Sequence, residues 1–120
     1  MTRMLLADDD ADLLEFLKEE LIRAGFQVTS VTNGADAIIA AVEQNFDLIL
    51  LDMMMPGLDG IKVIRVLQKV IPNVPIIGLT GYVGRGYMSQ AMSLGVTILT
   101  KPIAIPDLLQ EVNQVLFTKK

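Results

Sequence analysis

The sequence predicts one α/β domain in which a five-stranded parallel sheet is covered by helices on both faces. Short apolar runs alternate with longer amphipathic segments, and this alternation occurs five times in 120 residues. A chain of this length suits one compact domain. Strand–helix units that follow one another without a break favour parallel strands joined by right-handed crossovers. No internal repeat, low-complexity tract or linker divides the sequence.

The first unit begins with the apolar run at residues 4–7, which predicts a strand. A helix follows, because apolar residues then recur at helical spacing. These residues are Leu13, Leu14, Leu17, Leu21 and Ile22. Gly25 ends the helix, since glycine accepts the positive φ common just past a helix C-terminus. Residues 26–31 alternate with period two, which predicts a second strand near a sheet edge.

The second helix is predicted from residue 35 to about residue 43, after Asn33-Gly34. Residues 48–51 are apolar on both sides, as a central parallel strand requires. The third helix follows Gly60, and six apolar residues are expected to be buried on it. They are Ile61, Val63, Ile64, Val66, Leu67 and Val70.

The remaining elements complete the fourth and fifth units. Residues 76–79 predict the fourth strand, a weaker helix covers residues 87–94 before Gly95, and residues 96–99 predict the fifth strand. The last helix is expected to start at Pro106, because the first helical position loses nothing when its N–H is missing. Its apolar stripe consists of Leu108, Leu109, Val112, Val115 and Leu116.

The residue types that are missing exclude several kinds of site. Without cysteine the chain has no disulfide or thiolate chemistry, and without histidine it has no Ser-His triad, histidine-ligated zinc or phosphohistidine. The 14 acidic and 10 basic residues give a net charge of -4, which argues against a DNA-binding surface. No apolar run reaches the roughly 20 residues of a membrane span, so we expect a cytoplasmic protein.

Polar residues gather just past the ends of the predicted strands. They are Asp8 and Asp9 after the first, Asp52 after the third, Thr80 after the fourth and Lys101 after the fifth. In an open parallel sheet, ligands bind outside the carboxyl ends of the strands. We therefore expect three carboxylates, one hydroxyl and one amine to lie together on one rim.

This set of side chains favours phosphoryl chemistry with a metal ion. Clustered carboxylates repel one another unless a cation or proton intervenes, and oxygen ligands without His or Cys favour Mg²⁺. A lysine and a hydroxyl beside such a metal could hold the oxygens of a phosphoryl group. An aspartate in that setting can act as a nucleophile and form an acyl phosphate. The residues thus predict a Mg²⁺-dependent phosphoryl site built on Asp52.

Four motifs, in order along the chain, resemble the response-regulator receiver domain of two-component signalling. They are Leu-Ala-Asp-Asp-Asp at 6–10, Leu-Asp-Met-Met-Met-Pro-Gly at 51–57 with Gly60, Leu-Thr-Gly at 79–81 and Leu-Thr-Lys-Pro at 99–102. The resemblance covers essentially the whole chain and implies one receiver domain over residues 1–120. It also implies a doubly wound, flavodoxin-like fold similar to that of chemotaxis regulators, with strand order 2-1-3-4-5 and five helices.

The resemblance implies a role for each carboxylate. Asp52 would accept a phosphoryl group from the phosphohistidine of a histidine kinase or hybrid kinase. Asp9 would bind Mg²⁺ directly, and Asp8 would support it. Asp52 and the backbone carbonyl of Met54 would supply further ligands.

The resemblance also implies roles for residues after the fourth and fifth strands. Lys101 would neutralise charge on Asp52 and the phosphoryl group, and the Lys101–Pro102 bond would be cis. Thr80 would donate its hydroxyl to a phosphoryl oxygen and move inward after transfer. Ile98 departs from the family, which most often has Tyr or Phe three residues before the lysine, so the aromatic step of signalling is absent or replaced.

The implied protein is a signalling switch rather than an enzyme. Its downstream partner would be a protein bound at the face formed by helix 4, strand 5 and helix 5, with no direct contact to nucleic acid or membrane. Only three residues follow Phe117, so we expect a stand-alone receiver without an output domain. A fragment of a longer regulator or hybrid kinase stays open.

The same residues allow other interpretations. Asp10 fits an ordinary helix N-cap, and the methionines at 53–55 fit packing roles. A degenerate receiver that binds partners without phosphorylation is the main alternative function. A phosphohydrolase of the haloacid dehalogenase type needs an acid two residues after its nucleophile, where Met54 stands. A flavodoxin-like FMN module would need a Ser/Thr/Gly-rich loop in place of the three aspartates.

Overall fold

The computed structural model describes residues 1–55, 59–81 and 87–118, except for the side chains of residues 87 and 88. Strands and helices alternate throughout these ranges. They are β1 Arg3–Ala7, α1 Ala11–Arg23, β2 Gln27–Val31, α2 Gly34–Glu43, β3 Leu48–Asp52, α3 Gly60–Val70, β4 Ile76–Thr80, α4 Tyr87–Met92, β5 Thr97–Thr100 and α5 Ile105–Thr118.

The five strands form one parallel sheet in the order β2-β1-β3-β4-β5. This confirms the predicted fold class and strand order. β3 and β4 are buried along their whole length, as expected for strands that are covered on both faces. β2 lies at an edge and is only partly buried.

Two apolar clusters, one on each face of the sheet, hold the helices in place. Met4 and Leu6 of β1 point to the face covered by α1 and α5, where Leu17 and Leu108 are buried. Leu5 of β1 points to the opposite face, where it joins buried residues of α2 and α3. The alternation along β1 is the period-two pattern of a strand with two covered faces. Among the described residues, no helix is long and apolar enough to cross a bilayer.

Three helices begin at a polar cap directly after a strand or a short loop. The side chain of Asp10 accepts hydrogen bonds from the N–H groups of Asp12 and Leu13, which confirms Asp10 as the N-cap of α1. Asn33 caps α2, and Asp59 caps α3. These caps satisfy N–H groups that have no partner inside the helix. They fix where each helix starts relative to the sheet.

The prediction that Val66 and Val70 are buried was wrong. The side chains of Val66 and Val70 are 39% and 48% exposed. The contact between α3 and the sheet is narrower than the apolar stripe of the helix, so Ile64 and Leu67 are buried while the two valines lie beside the contact. Ile22 of α1 is likewise half exposed.

Helix boundaries differ from their predictions by one or two residues, and α2 and α3 begin at Gly34 and Gly60 themselves. α4 ends at Met92 rather than Leu94, and the N–H of Leu94 donates to the carbonyl of Ala91 in a tighter turn. Gly95 follows with a φ of +80°, which glycine adopts without strain. α5 begins at Ile105, one residue before Pro106. A shift of one residue is ordinary at a helix terminus.

Candidate functional site

The predicted polar residues lie at the carboxyl ends of four adjacent strands. Asp8 directly follows β1, Asp52 is the last residue of β3, Thr80 is the last residue of β4 and Lys101 directly follows β5. Parallel pairing brings all these ends to the same edge of the sheet. The sequence-based expectation of one shared rim is therefore met by the structure.

Three carboxylates form a cluster on this rim. One oxygen from each of Asp8, Asp9 and Asp52 can be chosen so that all three lie within 4.8 Å of one another. Asp8 and Asp52 are buried, at 0% and 3% exposure, whereas Asp9 is exposed. Two carboxylates of the cluster are therefore buried, and the third faces solvent.

Both oxygens of Asp8 accept hydrogen bonds. Oδ1 accepts from the backbone N–H of Asp10 at 2.9 Å, and Oδ2 accepts from Nζ of Lys101 at 3.0 Å. These donors compensate the charge of a carboxylate that has no access to water. Asp8 is held in one orientation and in turn holds the lysine.

Asp52 is less well compensated than Asp8. Its Oδ1 accepts from the N–H of Met54 at 3.2 Å and lies 3.5 Å from Nζ of Lys101. Burial raises the pKa of Asp52 from 3.8 to about 6, and the negative charge of Asp8 adds to this effect, against the opposing influence of Met54 and Lys101. The carboxylate is thus ionised near neutral pH but at a cost in free energy, which an added cation would reduce.

Lys101 is a cation that contacts both buried acids. Burial alone would lower its pKa, but the hydrogen bond to Asp8 and the charges of Asp52 and Asp8 outweigh that effect, and the pKa of Lys101 is raised. Its backbone N–H donates to the carbonyl of Thr80 at 2.8 Å, which fixes the start of the loop after β5. The Lys101–Pro102 bond is cis, as predicted.

Thr80 and Met54 complete the set of predicted site residues. Thr80 is fully buried at the end of β4, next in sequence to Leu79, which pairs with Asp52. The side chain of Met54 is 52% exposed, so the packing role predicted for it was wrong, while Met53 and Met55 are buried. Pro56 and Gly57 of the predicted motif lie outside the described residues.

The donor set fits a hard divalent cation. Every side-chain donor in the cluster is a carboxylate oxygen, and the cluster contains no nitrogen or sulfur ligand. Mg²⁺ is bound in proteins through one or two carboxylates together with water and phosphate oxygens. The residues present therefore suit Mg²⁺ better than a transition metal that prefers His or Cys.

Sequence reasoning missed Gly78, a strand residue beneath the site. A Cβ at this position would lie 2.8 Å from both Sδ of Met53 and Cδ1 of Ile98. The available signal was the glycine itself, because a glycine inside a buried strand often marks a close approach by another group.

Comparisons with known proteins agree with this fold and site. The family model described as "Response regulator receiver domain" matches residues 4–113. The response regulator receiver protein CpdR of Brucella abortus is 35% identical over 117 residues, which cover 97% of this chain and 98% of that protein. The chain spans about half the length of other curated relatives, which are named as transcriptional regulatory proteins.

Solved structures show the same similarity. The receiver domain of the Francisella response regulator 1452 has a TM-score of 0.91 and 31% identity, with all of both chains covered. The response regulator TrrA of Thermotoga maritima, solved in complex with Mg(2+)-BeF, has a TM-score of 0.87 and 30% identity, with 96% of this chain and 99% of that chain covered. By family model, sequence and structure, this chain belongs to the response-regulator receiver domains of two-component signal transduction.

Proposed function

We propose that this receiver accepts a phosphoryl group on Asp52 and that the acyl phosphate switches its binding to a partner protein. The observation that carries the proposal is the convergence of three carboxylates with Lys101 around Asp52. A buried carboxylate with a pKa of about 6 is ionised at neutral pH and available as a nucleophile.

The proposed transfer is balanced without a further reactant. An oxygen of Asp52 forms a bond to phosphorus as the phosphorus–nitrogen bond of a phosphohistidine breaks, and the released imidazole nitrogen keeps the electron pair of that bond. The chain has no histidine, so the phosphohistidine must come from another protein. We assign that role to a histidine kinase or hybrid kinase.

The residues around Asp52 would together compensate the incoming negative charge, the carboxylates by holding a cation. Asp8, Asp9, Asp52 and the carbonyl of Met54 would hold Mg²⁺, which supplies positive charge to the phosphoryl oxygens. The ammonium of Lys101, 3.5 Å from Asp52 Oδ1, is close enough to contact the phosphoryl group as well. Thr80 would donate its hydroxyl to a phosphoryl oxygen and so connect the chemistry to β4.

The same proposal extends to partners and place of action. We propose that the downstream partner binds the face formed by α4, β5 and α5, and that residues 1–120 act as one receiver domain in the cytoplasm. The switch would neither bind nucleic acid nor contact a membrane directly.

The decisive experiment is incubation with acetyl phosphate or a beryllofluoride salt, with and without Mg²⁺. With acetyl phosphate we expect one phosphoryl group per chain, seen by intact mass, only when Mg²⁺ is present, and with beryllofluoride we expect Mg²⁺-dependent binding without a covalent change. Hydroxylamine should release the phosphoryl group, because an acyl phosphate reacts with this nucleophile whereas a phosphate ester does not. Asp52→Asn should abolish the modification.

A matched control is Glu43→Gln, which also replaces one carboxylate by an amide. Glu43 is the last residue of α2, which leads to the amino end of β3, away from the site. It is exposed, so its loss should leave the modification unchanged. Modification that persists in Asp52→Asn would overturn the assignment of the acceptor. An intact chain that is never modified would favour the degenerate receiver instead.

A further inference from the structure

Met53 follows the proposed acceptor directly and is held on several sides. Its side chain is 1% exposed, and its N–H donates to the carbonyl of Leu79 at 2.8 Å. This hydrogen bond continues the β3–β4 pairing one residue past Asp52. Met53 is therefore tied to β4 as well as to β3, the strand that carries Asp52.

The first turn of α3 lies directly on the backbone of Met53. A Cβ at Gly60 would be 2.5 Å from the carbonyl oxygen of Met53 and 2.7 Å from its Cα. Real Cβ atoms do not approach backbone atoms this closely, so only glycine fits at position 60. The close approach limits movement of the Met53 backbone toward α3.

The side chain of Met53 shares one space with Ile98 of β5. Gly78 pairs with Ile98 in the β4–β5 ladder, and a Cβ at Gly78 would lie 2.8 Å from both Met53 Sδ and Ile98 Cδ1. Both side chains thus border the space above Gly78, where any larger residue would have to displace them. Ile98 is only partly buried, so it connects this interior space with the outer side of β5.

We propose that Met53 is a positioning residue that couples the carboxylate of Asp52 to β5 through the space that it shares with Ile98 above Gly78. The proposal rests on the function proposed for Asp52. Packed interiors have few voids, so a shift of the backbone at residues 52 and 53 must be taken up by a neighbouring side chain. Gly60 blocks movement of the Met53 backbone toward α3. The side chain of Met53 would therefore move within the space above Gly78 and displace Ile98.

The first test compares the binding of beryllofluoride in four variants at saturating Mg²⁺, measured by calorimetry. Gly78→Ala should weaken binding about fivefold or more, a typical size for coupling between sites. Ile98→Val removes the Cδ1 atom that the new methyl group would meet, so the double variant should recover most of the affinity. Ile39→Val is the control, because it removes the same Cδ1 atom from a side chain on α2 that is 52% exposed.

Urea unfolding of the same variants separates coupling from packing alone. If Gly78→Ala lowers stability but leaves the beryllofluoride affinity unchanged, Met53 has only a structural role and the inference is overturned. A double variant that stays as weak as Gly78→Ala would also contradict it, because the effect would then not pass through Ile98.

A second readout needs no phosphoryl analogue. In protein labelled at Ile δ1 methyl groups, Asp52→Asn should shift the Ile98 resonance, and Met53→Val, which has no atom in the place of Sδ, should remove that response. A response that survives Met53→Val overturns the coupling. If the parent chain fails to bind beryllofluoride, the function proposed for Asp52 fails, while the methyl response still decides the role of Met53.

Discussion

Nζ of Lys101 lies 3.0 Å from Oδ2 of Asp8, closer than its 3.5 Å separation from Oδ1 of Asp52. The lysine therefore compensates Asp8 first and Asp52 only in part. This unequal sharing agrees with the raised pKa of Asp52, where burial outweighs the attraction of the lysine. The inner part of the site consists of two buried acids and one partly buried cation.

Removal of the cation should destabilise the metal-free protein. Lys101→Met leaves two buried carboxylates without their shared partner, and we expect the free energy of unfolding to fall by about 2 kcal/mol, below the usual cost for a fully buried pair because the lysine side chain is 24% exposed. Urea unfolding with a chelator measures the change. Lys69→Met is the control, since Lys69 is exposed and has no ion pair among the described residues. Equal losses in both variants would contradict the role of Lys101.

The raised pKa of Asp52 predicts a pH-dependent penalty on stability. The folded state binds the proton more tightly than the unfolded chain, so the penalty is absent at pH values below the ordinary pKa of 3.8 and grows until the pH exceeds about 6. Relative to the parent, metal-free Asp52→Asn should gain stability from pH 4 to pH 7, by up to about 3 kcal/mol. Urea unfolding at pH 4, 5.5 and 7 measures the difference. A difference that does not change with pH would contradict the prediction, as would the same trend in Glu43→Gln.

The neighbouring residues Asp9 and Asp10 should have different roles, so their substitutions should change different properties. Asp10→Ala deletes the oxygen that caps α1 and should cost about 1 kcal/mol of stability, with Mg²⁺ affinity nearly unchanged. Asp9→Ala removes an exposed carboxylate of the cluster and should weaken Mg²⁺ binding strongly with little loss of stability. Calorimetric titration and thermal unfolding of both variants distinguish the two roles. If Asp10→Ala instead lost Mg²⁺ affinity and Asp9→Ala lost stability, the roles assigned to these two residues would be wrong.

The contact between Gly60 and Met53 predicts an inverted substitution effect. Alanine in place of glycine usually stabilises a helix, by roughly 1 kcal/mol in its interior. At Gly60 the new methyl group would lie 2.5 Å from a backbone oxygen, so Gly60→Ala should instead destabilise the fold by about 2 kcal/mol. Denaturant unfolding of Gly60→Ala measures the effect, with Gly81→Ala as the control. A stabilised Gly60→Ala would show that α3 can shift away from Met53.

Much of the fold could be predicted because apolar runs and glycines report directly on strands and helix ends. Four strands end next to a polar residue, and a parallel sheet must bring such ends together, so the placement of Asp8, Asp52 and Lys101 followed from order along the chain alone. The roles of these residues in phosphoryl transfer stay predictions. The strand order came from resemblance to a family rather than from periodicity.

The rest depends on distances between elements, which a sequence pattern does not contain. Val66 and Val70 have the correct spacing for burial, but the width of the contact between α3 and the sheet decides which apolar residues it covers. Gly78 is one residue in an apolar run, and its importance emerges only when Met53, just past β3, and Ile98 of β5 approach it. Which apolar residues of a helix are buried, and how closely other groups approach a glycine, are both decided by the tertiary structure.

The hydrogen bond between Lys101 and Asp8 joins residues 93 positions apart in the sequence. A nascent chain still lacking β5 would have the acidic cluster but not the cation that compensates it. The site can therefore be completed only after nearly the entire domain has left the ribosome. Proteolytic removal of the segment that starts at Lys101 would take away this cation together with α5, whose Leu108 and Val112 are buried against the sheet.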